Sequence, residues 1–146
     1  MKRLLIYLIG VALLATACEF HTSDNGELDG FWQLSSVDTL ATGGSKDLRY
    51  DQLSWSFQGH FVELRDARDF KLAGDLIGRF QHRGDSLTLS DFYFSKRDSG
   101  DIKLVNPEPL RRYGVSRLQQ SFQVLQLNSS RMTLKSDSLR LNFRRY

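Results

Sequence analysis

The side chains of this chain that could do chemistry are few and scattered. Its three histidines are His21, His60 and His82, and its single cysteine is Cys18. A zinc site needs three or four nitrogen or sulfur ligands, usually paired a few positions apart. No His-x-x-x-His and no cysteine pair is present. His21 lies in a polar stretch and reads as a solvated residue. His60 and His82 could meet across neighbouring strands, where a capped or surface imidazole is the ordinary outcome. Serines are many, but none lies in Gly-x-Ser-x-Gly, the elbow that presents a nucleophile. Glu63 and Asp66 are three apart in a segment of period two, so they point to opposite faces, whereas paired-carboxylate catalysis needs two carboxyls converging on one bond. Arg83-Gly84-Asp85 spells a tripeptide known from integrin ligands, but glycine and aspartate are also what a tight turn demands, and a turn is our reading. No catalytic residue, metal ligand or cofactor is expected.

Cys18 is best understood with what precedes it. Lys2 and Arg3 form a short positive region, Leu4 to Leu14 an apolar one, and Ala15, Thr16 and Ala17 a run of small residues. That order is a secretory signal. The apolar run is shorter than the roughly 20 residues that cross a bilayer, so cleavage is expected. Small residues followed directly by cysteine resemble the lipobox of bacterial lipoproteins. The usual leucine three residues before the cysteine is replaced by Ala15, with Leu14 one step further back. The resemblance implies lipid attachment at Cys18, which would become the new N-terminus, and a cell-envelope protein held on a membrane. Glu19 in the second position after cleavage resembles outer-membrane sorting, and "SDNGELD" loosely resembles surface-export signals of Bacteroidetes-type lipoproteins. The expected division is residues 1–17 as signal peptide, 18–29 as flexible tether and 30–146 as the folded domain.

Loss of the leader removes Lys2 and Arg3, and with them two of the three net positive charges. A chain this close to neutral lacks the basic footprint of a nucleic-acid binder, although its tail is locally basic. One cysteine allows no internal disulfide, so stability must come from a core, and residues 18–146 are long enough to form one.

From Gly30 onward the apolar period is two. "GFWQLSSV" puts Trp32 and Leu34 on one face, and "QLSWSFQ" does the same for Leu53, Trp55 and Phe57. Turn signals then separate "HFVELRD", "LIGRFQH" and "SLTLSDFYFS", and later "FQVLQL", "RMTLKS" and "SLRLNFRRY". About eight antiparallel strands result, the number that closes a small barrel and removes its edges. Two stretches break the pattern. "VNPEPLRRYGVSRL" holds both prolines and predicts one helical turn stopped by Gly114, between the fifth and sixth strands near a barrel mouth. The residues between Val37 and Gln52 predict a loop made mobile by Gly43-Gly44.

Gly30-Phe31-Trp32, the aromatic hairpin around Trp55 and Phe57, the "PLRRYGV" turn and the closing strand triplet together resemble the lipocalin-like lipoproteins of Bacteroidetes-type bacteria. The resemblance implies an all-β, eight-stranded up-and-down barrel with a calyx. In it Trp32 would plug the closed end and pack against Arg144 or Arg145, an arginine on an indole face contributing ~0.5 to 2 kcal/mol.

Two readings of function follow. In the first, the barrel holds a small hydrophobic ligand against Leu34, Trp55, Phe57, Phe80, Leu89, Phe94, Val124, Leu134 and Leu141. In the second, those same residues simply fill the barrel, and the protein is a structural or interaction module docking on an envelope partner. Phe92-Tyr93-Phe94 adds to the second, because Tyr93 must point opposite to its neighbours.

Overall fold

The computed structural model describes residues 25–69, 75–96 and 100–146. The expected signal peptide, Cys18, Glu19 and His21 lie outside the described residues. These residues form ten strands, eight of them from the period-two segments: β1 (Gly30–Thr39), β2 (Ser45–Asp47), β3 (Leu53–Gln58), β4 (Phe61–Asp66), β5 (Asp75–Arg83), β6 (Ser86–Lys96), β7 (Gly100–Lys103), β8 (Gln120–Leu127), β9 (Arg131–Lys135) and β10 (Leu139–Arg145). Eight of them make a closed antiparallel ring in the order β1, β3, β4, β5, β6, β8, β9, β10, with β10 returning to pair with β1. The fold is all-β and lipocalin-like, an up-and-down barrel.

The other two strands are rim additions. β1 pairs with β3 over Gly30–Gln33 and with β2 over Ser36–Asp38. β6 pairs with β8 over Ser86–Leu89 and with β7 over Tyr93–Lys96. The barrel is therefore not evenly round. The stretch expected to be loop from Val37 to Gln52 thus contains β2, a polar strand exposed along its length. Its hairpin closes through Thr39 N–H donating to the Gly44 carbonyl at 2.7 Å.

The turns form where the sequence places them. Gly59 and Gly84 adopt left-handed φ of 60° and 58° in the two-residue connections β3–β4 and β5–β6, so Arg83-Gly84-Asp85 is a hairpin turn. Asn128 Oδ1 accepts the Ser130 and Arg131 N–H groups at 3.0 and 2.8 Å and closes the β8–β9 turn. Pro107 and Pro109 open a 3-10 turn at Glu108–Tyr113, and Gly114 ends it at φ 84°.

Three bulges bend the walls. Between inward residues the spacing rises from two to three at Leu34 to Val37, at Leu89 to Phe92 and at Val124 to Leu127, where the pairing registers shift. Each extra residue adds local twist and lets a long strand curl round a small barrel. At the second bulge Asp91 takes φ 51°. Gly78 lies opposite, where a Cβ would come within 2.6 Å of the Phe92 ring.

The folded part begins earlier than the boundary expected at Gly30. Gly26–Leu28 is a 3-10 turn, and Leu28 is fully buried. Asn25 Nδ2 donates to the Gly59 carbonyl at 2.8 Å. Residues 25–29 of the expected tether therefore close one end of the barrel, because an apolar side chain beside an open barrel end gains from burial.

Candidate functional site

At the closed end Trp32 is completely buried, and its Nε1 donates to the Leu28 carbonyl at 2.8 Å. Register decides which arginine covers it. Trp32 stands opposite Arg145 and Gln33 opposite Arg144, so alternation puts Arg145 on the indole side and Arg144 on the other. The Arg145 guanidinium lies 5.0 Å from the ring centre. It also donates to the Asp29 carbonyl and pairs with Glu27. The partner of Trp32 is thus Arg145. Arg144, the other arginine expected as a candidate, instead donates to the Gln33 side chain.

Above this plug the nine residues expected to line a lumen converge on the interior. Leu34, Trp55, Phe57, Phe80, Leu89, Leu134 and Leu141 are buried, and Phe94 and Val124 are half-buried against the same core. They touch one another. The Trp55 ring meets Phe143 at 5.0 Å, Phe122 at 5.8 Å and Phe57 at 6.2 Å, while Phe57 meets Phe80 edge-on at 5.0 Å. These are ordinary aromatic packing distances, and the interior around Trp55 is filled by side chains. Trp55 Nε1 is buried without a hydrogen-bond partner among the described residues.

The open end is covered by the Glu108–Tyr113 turn. Leu110, Tyr113 and Val115 are buried, and Gly114 rests so closely on Leu141 that a Cβ would come within 2.5 Å of it. Arg112 pins the turn to Asp66, whose side chain is only 3% exposed. Asp66 also accepts the Arg68 N–H at 2.9 Å. Burial pushes the Tyr113 hydroxyl up to about 12.

Between this turn and the β1–β2 hairpin lies a cleft of about 380 Å³. Val37, Leu48 and Leu139 give it apolar walls, and Lys46, Arg111 and Arg112 line it with positive charge. Beside it Asp38 is held below the usual carboxylate range, chiefly by the Ser45 hydroxyl. The cleft contains none of the nine expected lining residues. Most of its lining, Thr39 to Leu48 and Arg111 to Gly114, comes from segments read from sequence as loops, while Val37 and Leu139 come from the first and last strands.

A second groove, of about 420 Å³, runs along the outer wall of β4 to β7. Phe61, Ile77 and Tyr93 line it with Arg79, Asp91 and Asp101. Tyr93 does point away from buried Phe92, as alternation requires.

The Phe80 N–H reaches the His60 carbonyl at 3.1 Å, and His82 pairs in the sheet with Leu87. No cluster of three or more metal-ligating side chains exists among the described residues. Glu63 faces outward with Arg65 and Asp75, away from inward Asp66. Burial raises the Glu63 carboxyl.

Comparison with known proteins agrees with this architecture. The chain is similar to a lipocalin-like protein from Bacteroides uniformis at 19% identity and a TM-score of 0.62, covering 83% of this chain and all of the other. It is also similar to an uncharacterized protein from Bacteroides eggerthii at 15% identity and a TM-score of 0.60, covering 82% of this chain and 99% of the other. No curated protein sequence matches it. The family model described as a lipocalin-like domain matches residues 12–146. By that match, and with a ring of eight strands plugged by Trp32, the chain belongs to the lipocalin-like domain family.

Proposed function

We propose that this is a non-catalytic lipoprotein of the cell envelope, anchored through lipid on Cys18 on the outer membrane, whose barrel binds a small hydrophobic ligand at its mouth. The observation that carries the ligand reading is the cleft of about 380 Å³ with walls of Val37, Leu48 and Leu139. That volume lies within the ~300 to 1,000 Å³ usual for small-molecule sites. Lys46, Arg111 and Arg112 around it favour an amphiphile with an anionic head. The interior cannot take the same ligand without parting the Trp55, Phe122 and Phe143 rings.

Native mass spectrometry of the purified chain, followed by extraction of what it carries, tests this reading. A bound acidic amphiphile is expected, and adding a fatty acid should raise the melting temperature with concentration, as any ligand of the folded state does. Leu48→Trp, which fills the cleft, should remove that rise. No co-purified molecule and no shift with fatty acids, retinoids or sterols would reject it.

A second reading, a structural or interaction module of an envelope complex, is favoured by the filled interior and by the outer groove of Phe61, Ile77 and Tyr93. Capture of a partner that is lost on Tyr93→Ala, with no ligand found, would bring it forward.

A further inference from the structure

The two ends of the barrel differ in how their arginines are satisfied. At the mouth Arg49, Arg65, Arg68, Arg111, Arg112 and Arg117 each pair with a carboxylate, and Arg140 acts on Asp38. Toward the closed end Arg145 pairs with Glu27, but Arg79, Arg83 and Arg131 are exposed and none of these three has an ion pair among the described residues. Arg79 lies over the exposed Phe61 ring at 5.3 Å. Around the same end Phe31 is 53% and Tyr146 66% exposed, joined by Tyr146 N–H donating to the Phe31 carbonyl at 3.1 Å.

The chain enters the barrel at this end. Asn25 is fastened to the β3–β4 turn at Gly59, and seven steps separate it from Cys18. A fully extended chain spans at most ~3.6 Å per residue, so an anchor at Cys18 lies within ~25 Å of the closed end. Exposed aromatic rings and unpaired arginines are what a face needs at a membrane surface, the rings at the headgroup level and the cations against anionic lipid.

We infer that the closed end of the barrel, through Arg79, Arg83, Arg131, Phe31 and Phe61, docks on the anionic phospholipid surface that carries its anchor. The mouth cleft then faces away from the bilayer, toward the aqueous side. This rests on the anchored-lipoprotein reading above, and the test separates the two.

Cys18 is the only cysteine, so once its sulfur carries lipid an introduced cysteine is the sole free thiol. Ser129→Cys marks the closed end and Ala41→Cys the mouth. Each would be labelled with a fluorophore in the lipidated full-length product, in vesicles of phosphatidylglycerol and phosphatidylcholine doped with a headgroup nitroxide. Strong quenching at position 129 and weak quenching at 41 is expected, with the difference shrinking in phosphatidylcholine alone and in Arg83→Glu/Arg131→Glu. Equal quenching at both positions, or quenching at 129 indifferent to charge reversal, overturns the inference. The mass of the Cys18 peptide judges the anchor independently. Should it carry no lipid, the anchor reading falls, and co-sedimentation of the chain with phosphatidylglycerol vesicles decides the docking face. Each arginine at an anionic surface contributes about five-fold in binding, so the double reversal should weaken it by at least ~25-fold. Unchanged binding, or none by the parent chain, overturns it. Both arginines are solvent-exposed, so an unchanged melting temperature verifies that the variant is folded.

Discussion

The Arg145 guanidinium lies 5.0 Å from the centre of the Trp32 indole, across the pairing of the first strand with the last. The same indole donates to the Leu28 carbonyl, so one side chain joins the entering turn, β1 and β10.

Trp32→Ala is expected to cost ~3 to 5 kcal/mol, the range for truncating a buried aromatic. Arg145→Ala should cost more than Arg144→Ala, because only Arg145 covers the indole and pairs with Glu27. The two tryptophans offer a sharper contrast. Trp32→Phe leaves the Leu28 carbonyl without its donor, whereas Trp55→Phe removes a donor that has no partner among the described residues. An unmet buried polar group costs ~1 to 3 kcal/mol, so Trp32→Phe should be the worse of the two by about that amount. Denaturant unfolding of the pair measures the difference directly.

Arg112→Met should loosen the cover of the mouth. Among the described residues Asp66 would then keep a buried carboxylate supported only by the Arg68 N–H, and a hydrogen bond to a charged group is worth ~1.5 to 3 kcal/mol. Hydrogen exchange of residues 108–115 is expected to quicken well before that of β3 and β4. Uniform protection across all of these segments would show that the ion pair does not hold the turn.

Two glycines are set by neighbours rather than by turns alone. Gly78→Ala drives a methyl into the Phe92 ring and the Ser90 carbonyl, and overpacking of this kind costs ~1 to 3 kcal/mol. Gly114→Ala meets Leu141 and also needs a left-handed φ, so it should be the more damaging substitution. Gly43→Ala, equally left-handed but with open space around it, isolates the conformational part. Thermal midpoints in the order Gly43→Ala, Gly78→Ala, Gly114→Ala, falling, are expected.

Tyr113 gives the molecule an alkaline weakness. Its hydroxyl ionises at about 12 in the folded protein and near 10 once unfolded. The unfolded state therefore loses this proton first, and stability is fully present below about pH 10 and declines as pH rises toward 12. Tyr113→Phe should flatten that decline in urea unfolding curves taken across the interval. An unchanged slope would show the hydroxyl to be freely solvated.

What could be read in the sequence follows from which signals survive as local pattern. The eight ring strands alternate strictly enough to show, but the bulges do not: the three-residue steps from Leu34 to Val37, Leu89 to Phe92 and Val124 to Leu127 take on meaning only once the pairing registers are known. β2 and β7 do not show, because Ser45–Asp47 and Gly100–Lys103 are exposed throughout and carry no apolar face. Leu28 was hidden for a different reason, being a single apolar residue in a polar run whose burial depends on the barrel end beside it. Trp32 was legible through the Gly-x-Trp resemblance, but the choice between Arg144 and Arg145 waited on register. The mouth cleft is invisible in one dimension, since Lys46, Arg111 and Leu139 become neighbours only when the ring closes.

That closure also sets the order of folding. Gln33 and Arg144 are in contact 111 positions apart, whereas every other neighbour in the ring is joined by a hairpin or a modest excursion. A chain made from its N-terminus can form β3–β4 and β5–β6 early, but β1 keeps an unpaired edge until β10 arrives. Such distant pairing carries the largest loop-closure entropy and makes folding slow. The seam between first and last strands is therefore where a nascent molecule is open to the wrong partner, and where a second chain's β10 could complete the ring in its place.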